Sequence, residues 1–250
     1  MIKHLYDSFA ERYYNSGSIY IYSDPHFGDL DCYKMRFPDR YELAKLQYEQ
    51  LNRIGDVDEI FVRVLDQMQI DNINKKCTKR DTLIILGDVG DIECVKRLKA
   101  GYKVLIMGNH DKGASNYKKV IESTYKIDSE FTEKDSQYNW IIADPTPVGN
   151  VYVRISSNNL FDEVYEGTLQ IGPKLILSHE PVEYPYCLNI HGHIHNVNPL
   201  GAYTEGINCT SHYNCCAEQL NYKPVCLKDI INCPAPPRFS CNFTSESRCL

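Results

Sequence analysis

Five short stretches of the chain end in side chains of the kind that bind divalent cations: Asp24-Pro25-His26, Gly87-Asp88, Gly108-Asn109-His110-Asp111, Ser178-His179 and Gly192-His193-Ile194-His195. Carboxylates with imidazoles are the ligand set of hard and borderline divalent metals. Asp24 and His26, two apart in an extended loop, can point into one site. His193 and His195 repeat that arrangement, and Gly192 allows close backbone approach. Asp88, alone at a strand end, suits a carboxylate bridging two metals. Asn109 offers an amide oxygen and His179 a further imidazole. Two cations about 3.5–4 Å apart can deprotonate a water, orient a phosphate and stabilise charge on both in-line oxygens. His110, next to a ligand, is placed to protonate a leaving oxygen. Asp111 either holds the His110 ring in its tautomer or caps a following helix, and both leave the same mark in sequence.

Most of these stretches follow a short apolar run that reads as a strand buried on both faces: Ile19–Tyr22, Thr82–Leu86, Tyr102–Met107 and Lys174–Leu177. Ligands just past the carboxyl ends of such strands converge on one crevice. Between them, residues 1–17 read as a short amphipathic helix with Leu5, Phe9 and Tyr13 on one face, and Cys32 to Pro38 as a loop. Helices are expected over Tyr41–Arg53, over Val57–Ile73 with Ile60, Phe61, Val64, Leu65 and Met68 on one face, and over Asp91–Lys99. The last sits in a βαβ unit, for which a right-handed crossover is expected. Tyr117–Tyr125 reads as another helix. Short strands are expected at Trp140–Ala143, Val151–Ile155, Leu160–Tyr165, Thr168–Ile171, Ala202–Cys209, Tyr213–Cys216 and Pro224–Leu227.

The ligand stretches span Asp24 to His195 and must close on one site, which favours a single domain over 1–232, with 233–250 a poorly ordered Cys/Pro-containing tail. Composition, 43% hydrophobic and 24% charged, is that of a soluble globular protein. The formal charge of −6 gives no electrostatic reason to expect a dedicated nucleic-acid binder. The start lacks an apolar leader segment and no apolar run approaches the roughly 18 residues of a spanning helix, so a cytoplasmic protein is expected, with no membrane contact. Of eleven cysteines, seven lie between Cys209 and Cys249. An odd total sits badly with a disulfide framework. Cys226, Cys233, Cys241 and Cys249 are spaced too widely for the close pairs of structural zinc sites.

The motifs Asp-x-His, Gly-Asp, Gly-Asn-His-Asp, a lone His and Gly-His-x-His, in this order, resemble those of the calcineurin-like metallophosphoesterase superfamily. A small bacterial and phage-type subgroup is similar in more detail, through Ser23–Gly28 (Ser-Asp-x-His-Phe-Gly), Leu177–Pro181 (Leu-Ser-His-x-Pro) and Tyr222–Val225 (Tyr-x-Pro-Val). The similarity runs from about Ile19 to Ile230. It implies an α/β (α+β) fold, a four-layer sandwich of two mixed β-sheets flanked by helices. It also implies two divalent metals, Mn²⁺ or else Fe, Zn or Ni. One would take Asp24, His26, Asp88 and His195; the other Asp88, Asn109, His179 and His193; His110 would be the outer-sphere acid. Gly28-Asp29 departs from the subgroup's Gly-His, and Lys112 stands where many relatives have Arg.

The expected activity is hydrolysis of a phosphoric ester, monoester or diester, by a metal-bridging hydroxide, with Asn109 and His110 on phosphate oxygens and a small phosphorylated substrate such as a nucleotide. Two rival readings are a catalytically weak scaffold of the same fold and a nuclease. The first should have lost His110 or several ligands, and the second should carry a basic stripe. His4, His191 and His212 read as structural, Asp91 and Glu93 as helix-capping charges. Tyr184 and Tyr186 flank the site-side loop and could contact substrate, and Glu180 reads as either pocket-lining or solvated. Oligomeric state is open.

Overall fold

The computed structural model describes residues 17–51, 55–111, 117, 121–130, 132, 139–146, 149–155, 160–195 and 212–232. The expected helix at 1–17, the strand at 202–209, the tail 233–250 and Lys112 lie outside those residues.

Strands β1 (Ile19–Tyr22), β2 (Thr82–Ile85) and β3 (Tyr102–Ile106) form where the apolar runs predict, pairing in parallel in that order. β7 (Glu163–Tyr165) extends the sheet in parallel beside β3, and β12 (Val225–Cys226) closes the other edge antiparallel to β1. A second mixed sheet has the order β11 (His212–Asn214), β10 (Leu188–His191), β9 (Leu175–Leu177) and β8 (Leu169–Gly172), with only the β8–β9 pair antiparallel. A third sheet, antiparallel, joins β4 (Ile121–Ile127), β6 (Gly149–Ile155) and β5 (Asn139–Thr146). These are the two mixed sheets expected, with a three-stranded antiparallel sheet added.

Side chains alternate along each strand, so one run feeds two cores. Ile19, Ile21, Ile84, Leu86, Val104 and Ile106 meet Ile171, Leu177, Ile190 and Cys215 of the second sheet. The opposite face, with Tyr22, Leu83, Ile85 and Leu105, packs on Ile70, Ile73, Val95 and Leu98. Those come from two helices, α3 (Val57–Lys76) and α4 (Ile92–Lys96), and the turn after α4. Helix α5 (Leu227–Asn232) adds Leu227 and Ile230 to the inter-sheet core.

Three expectations change. Most of the loop expected over Cys32 to Pro38 lies instead in helix α1 (Leu30–Arg36), because Asp29 caps it by accepting from Cys32 N at 2.9 Å. Helix α2 (Pro38–Gln50) follows at once, with Pro38 in its first turn where a missing N–H is harmless. Of the helix expected over 117–125, residues 121–125 instead belong to strand β4, whose register is set by pairing with β6, a partner some thirty residues away. Finally, Tyr184 and Tyr186 are not on the site side. Since β9 and β10 are parallel, their connection must run back to the amino-terminal end, where Leu188 N bonds Lys174 O at 2.9 Å and Cys187 Sγ lies 3.8 Å from Pro173 O.

Candidate metal centre

Parallel pairing puts the carboxyl ends of β1, β2 and β3 along one edge, and those of β9, β10 and β11 along the matching edge of the second sheet. A bridge from Ser23 to Cys216 joins the two sheets at that edge. The loops after β1 and β2 are also tied together, by Asp24 N→Gly87 O (3.1 Å), His26 N→Asp88 O (3.0 Å) and Phe27 N→Val89 O (3.0 Å). Five residues at this edge have left-handed backbones: Asp24 (φ 53°), His26 (47°), Asp88 (52°), His193 (68°) and His195 (43°). Non-glycine residues avoid this region, and such strain persists only where the surroundings enforce it. Gly192 has no room for a side chain, since a Cβ there would sit 1.9 Å from Ser23 Oγ and 2.2 Å from Asp24 Oδ2.

The side chains fall into two groups. Asp24, His26 and His195 bring ligand atoms to one point, and Asp88, His179 and His193 to another. Asp88 links them. Its Oδ2 lies 3.5 Å from His26 Nε2 in the first group and 3.5 Å from His179 Nε2 in the second. Its Oδ1 accepts from His110 N at 3.0 Å. Asn109 Oδ1 lies 2.9 Å from His179 Nε2, and His193 Nδ1 lies 3.1 Å from the same nitrogen.

The chemistry of these contacts fits cations. Asp24 Oδ2 is saturated, accepting from Ser23 Oγ, from His193 N at 3.0 Å and from Cys216 Sγ at 3.3 Å. Its Oδ1 is buried without a hydrogen-bond partner and faces His195 Nε2 at 3.7 Å; His26 Nε2 is buried and unpartnered too. His179 Nδ1 lies 2.8 Å from the carbonyl of Leu86, so it carries the proton and leaves Nε2 a lone pair. That lone pair then faces the oxygens of Asp88 and Asn109, a repulsive arrangement until a cation lies among them. Donors each about 2.1 Å from a shared ion stand roughly 3–3.7 Å apart, which is the spacing seen here. Burial, helped by the Arg36 guanidinium, holds His26 below the ordinary imidazole range, favouring the neutral ring a metal requires.

Sequence reasoning did not single out the residues behind the ligands. His26 Nδ1 lies 3.4 Å from Asp29 Oδ2, and His195 Nδ1 lies 2.8 Å from Glu218 Oε1. Glu218 is in turn paired with Arg36 Nε at 2.9 Å, both side chains almost wholly buried. Burial alone would raise the Glu218 carboxyl; the His195 hydrogen bond and the Arg36 charge outweigh it and hold it low. Arg36 also donates to the carbonyls of Asp24 (2.8 Å) and Pro25 (3.3 Å). The signal for Glu218 was available: it follows a strand that ends at this edge, as the ligands do.

Asp111, expected to hold the His110 ring or to cap a following helix, makes other contacts among the described residues. Its Oδ2 accepts from the backbone N–H groups of Asp88 (3.0 Å) and Gly108 (2.8 Å). Its Oδ1 accepts from Val89 N (3.0 Å) and Tyr117 Oη (3.2 Å). It clamps the Asp88 loop to the Asn109 loop. The His110 ring is exposed and stands edge-on to His26, centroids 5.5 Å apart. His191 is buried against His212, and burial pushes it down to about 4.

The sequence profile of the calcineurin-like phosphoesterases matches residues 17–206. The chain belongs to that family, which implies metal-dependent phosphoester hydrolysis. No curated protein sequence matches it. Among solved structures it is similar to a protein of unknown function from Aquifex aeolicus, at 22% identity and a TM-score of 0.47, covering 86% of this chain and 97% of that one. Among the described residues no helix is long and apolar enough to cross a membrane.

Proposed function

We propose that this chain is a dinuclear metal-dependent hydrolase of a small phosphoric ester, a phosphodiester or phosphomonoester of nucleotide type, working in the cytoplasm as a single catalytic domain over 1–232. The observation that carries it is the Asp88 carboxylate, one oxygen of which is equidistant from a histidine of each ligand group. Asp24, His26 and His195 would hold one cation, Asn109, His179 and His193 the other, and Asp88 both. Two divalent ions there, Mn²⁺ foremost, would supply an activated water and positive charge for in-line displacement at phosphorus. Asp111 keeps Asp88 and Asn109 in register. His110, its backbone fixed to Asp88 and its ring at the open lip, donates a proton to the departing oxygen, and Asn109, also exposed, binds a phosphate oxygen. A small substrate suits the net charge of −6. The described cysteines are all free thiols, which suits a reducing compartment.

The test is hydrolysis of bis-p-nitrophenyl phosphate and p-nitrophenyl phosphate by apo-protein reloaded with Mn²⁺. We expect metal-dependent turnover that falls about 10²–10⁴-fold in His110→Ala, the ordinary contribution of a general acid. Two ions bound with neither ester hydrolysed would overturn the hydrolase reading in favour of a scaffold.

A further inference from the structure

The metal-facing nitrogen of a histidine is chosen by what its other nitrogen bonds to. At His195 that other nitrogen, Nδ1, has two neighbours with opposite demands. Glu218 Oε1, 2.8 Å away, can only accept, so it requires a proton on Nδ1. Arg36 Nη2, 3.2 Å away, can only donate, so it requires a lone pair there. When Nδ1 carries the proton, Nε2 presents its lone pair toward Asp24 Oδ1 and the first ligand group. When Arg36 takes the lone pair of Nδ1, the proton of a neutral ring moves to Nε2 and blocks that position. Glu218 is the shorter contact, and its pairing with Arg36 Nε turns the guanidinium toward the Asp24 and Pro25 carbonyls.

Resting on the two-metal reading above, we propose that Glu218 is the positioning residue that sets the His195 tautomer against Arg36, and so secures the cation at the Asp24–His26–His195 position. The other position has no such dependence, because His179 is fixed by the Leu86 carbonyl. Loss of Glu218 is therefore selective: one ion weakens and the other does not. A residue that merely supports the fold would weaken both or neither.

The experiment is titration of the apo-protein with Mn²⁺, following free and bound ion by electron paramagnetic resonance, for wild type, Glu218→Met and the pair Arg36→Met/Glu218→Met. Wild type should take up two ions. Glu218→Met should bind one ion about 10–100-fold more weakly, the usual effect of losing the partner behind a ligand histidine, and the other unchanged. The double variant, freed of the competing donor and of an unpaired buried charge, should recover part of that loss. It also keeps the test readable if the single variant does not fold, since without the Nδ1 acceptor its first site should still be weaker than in wild type. Two ions bound to Glu218→Met with wild-type affinity, equal weakening of both, or a double variant as weak as the single would each overturn the proposal. A wild type that binds no ion refutes the two-metal reading itself.

Discussion

Gln69, fully buried on helix α3, holds the first ligand loop from behind, and its replacement should be costly in a definable way. Its Nε2 donates to the Pro25 carbonyl at 2.9 Å and to Tyr33 Oη at 2.8 Å, and its Oε1 accepts from Tyr22 Oη at 2.6 Å. Tyr33 Oη has a second partner in Asp66 and the Pro25 carbonyl a second donor in Arg36 Nη1 at 3.3 Å, but Tyr22 Oη has no other hydrogen bond among the described residues. Gln69→Leu keeps the volume and orphans the Tyr22 hydroxyl. At about 1–3 kcal/mol for a buried group left unsatisfied, the loss is a sizeable share of the roughly 5–15 kcal/mol that holds a domain folded. Tyr22→Phe removes that orphan, so the double variant should lose about 1–3 kcal/mol less than the sum of the two single losses. Urea unfolding of the metal-free protein measures all four corners of this cycle. A Gln69→Leu loss below about 1 kcal/mol, or strict additivity with Tyr22→Phe, would refute the network as drawn.

Three further outcomes follow from the same contacts. Gly87→Ala puts a methyl group 2.4 Å from His179 Nδ1 and 2.7 Å from Gly108 Cα at φ +90°, so left-handed strain of about 1–2 kcal/mol adds to overpacking of about 1–3 kcal/mol; thermal melting and Mn²⁺ affinity should both fall, and an unchanged melting curve would count against the packing described. Asp111→Asn turns an NH₂ toward backbone N–H donors and should cost about 1–3 kcal/mol of stability along with activity, whereas the exposed His110→Ala should lose activity with stability changed by no more than about 0.5 kcal/mol; denaturant titration beside the ester assay separates them. Burial pushes the Cys32, Cys77 and Cys94 thiols up to about 12 and those of Cys215 and Cys216 well above their ordinary value, so iodoacetamide at pH 8 should leave these five untouched in the folded protein and label them in guanidinium, as read by peptide mass.

The ligand loops were legible because chemistry and local pattern agree there: short apolar strands end in Asp, His or Asn, and a parallel sheet brings such ends together. What the sequence hid depends on partners distant in the chain. Strand β4 carries enough helix-compatible spacing to read as a helix, and only pairing with β6 decides otherwise. Arg36 and Glu218 belong to no short motif; a helix that begins at Asp29's cap and a turn beyond β11 put them side by side. The part Asp111 plays in tying the ligand loops together was hidden because its backbone donors Asp88 and Val89 lie 23 and 22 residues away in the chain. Tyr184 and Tyr186 looked site-adjacent by their nearness to His179 in sequence, and the parallel β9–β10 pairing sends them to the far end.

The most direct test of the central claim is metal stoichiometry. Apo-protein and its Asp88→Asn variant would be dialysed against Mn²⁺ and analysed for bound ion per chain. Two ions in wild type, with both positions weakened in the variant because the shared carboxylate is gone, is the predicted result. A wild type that binds no divalent ion, or an Asp88→Asn protein that binds two as tightly as wild type, would contradict it.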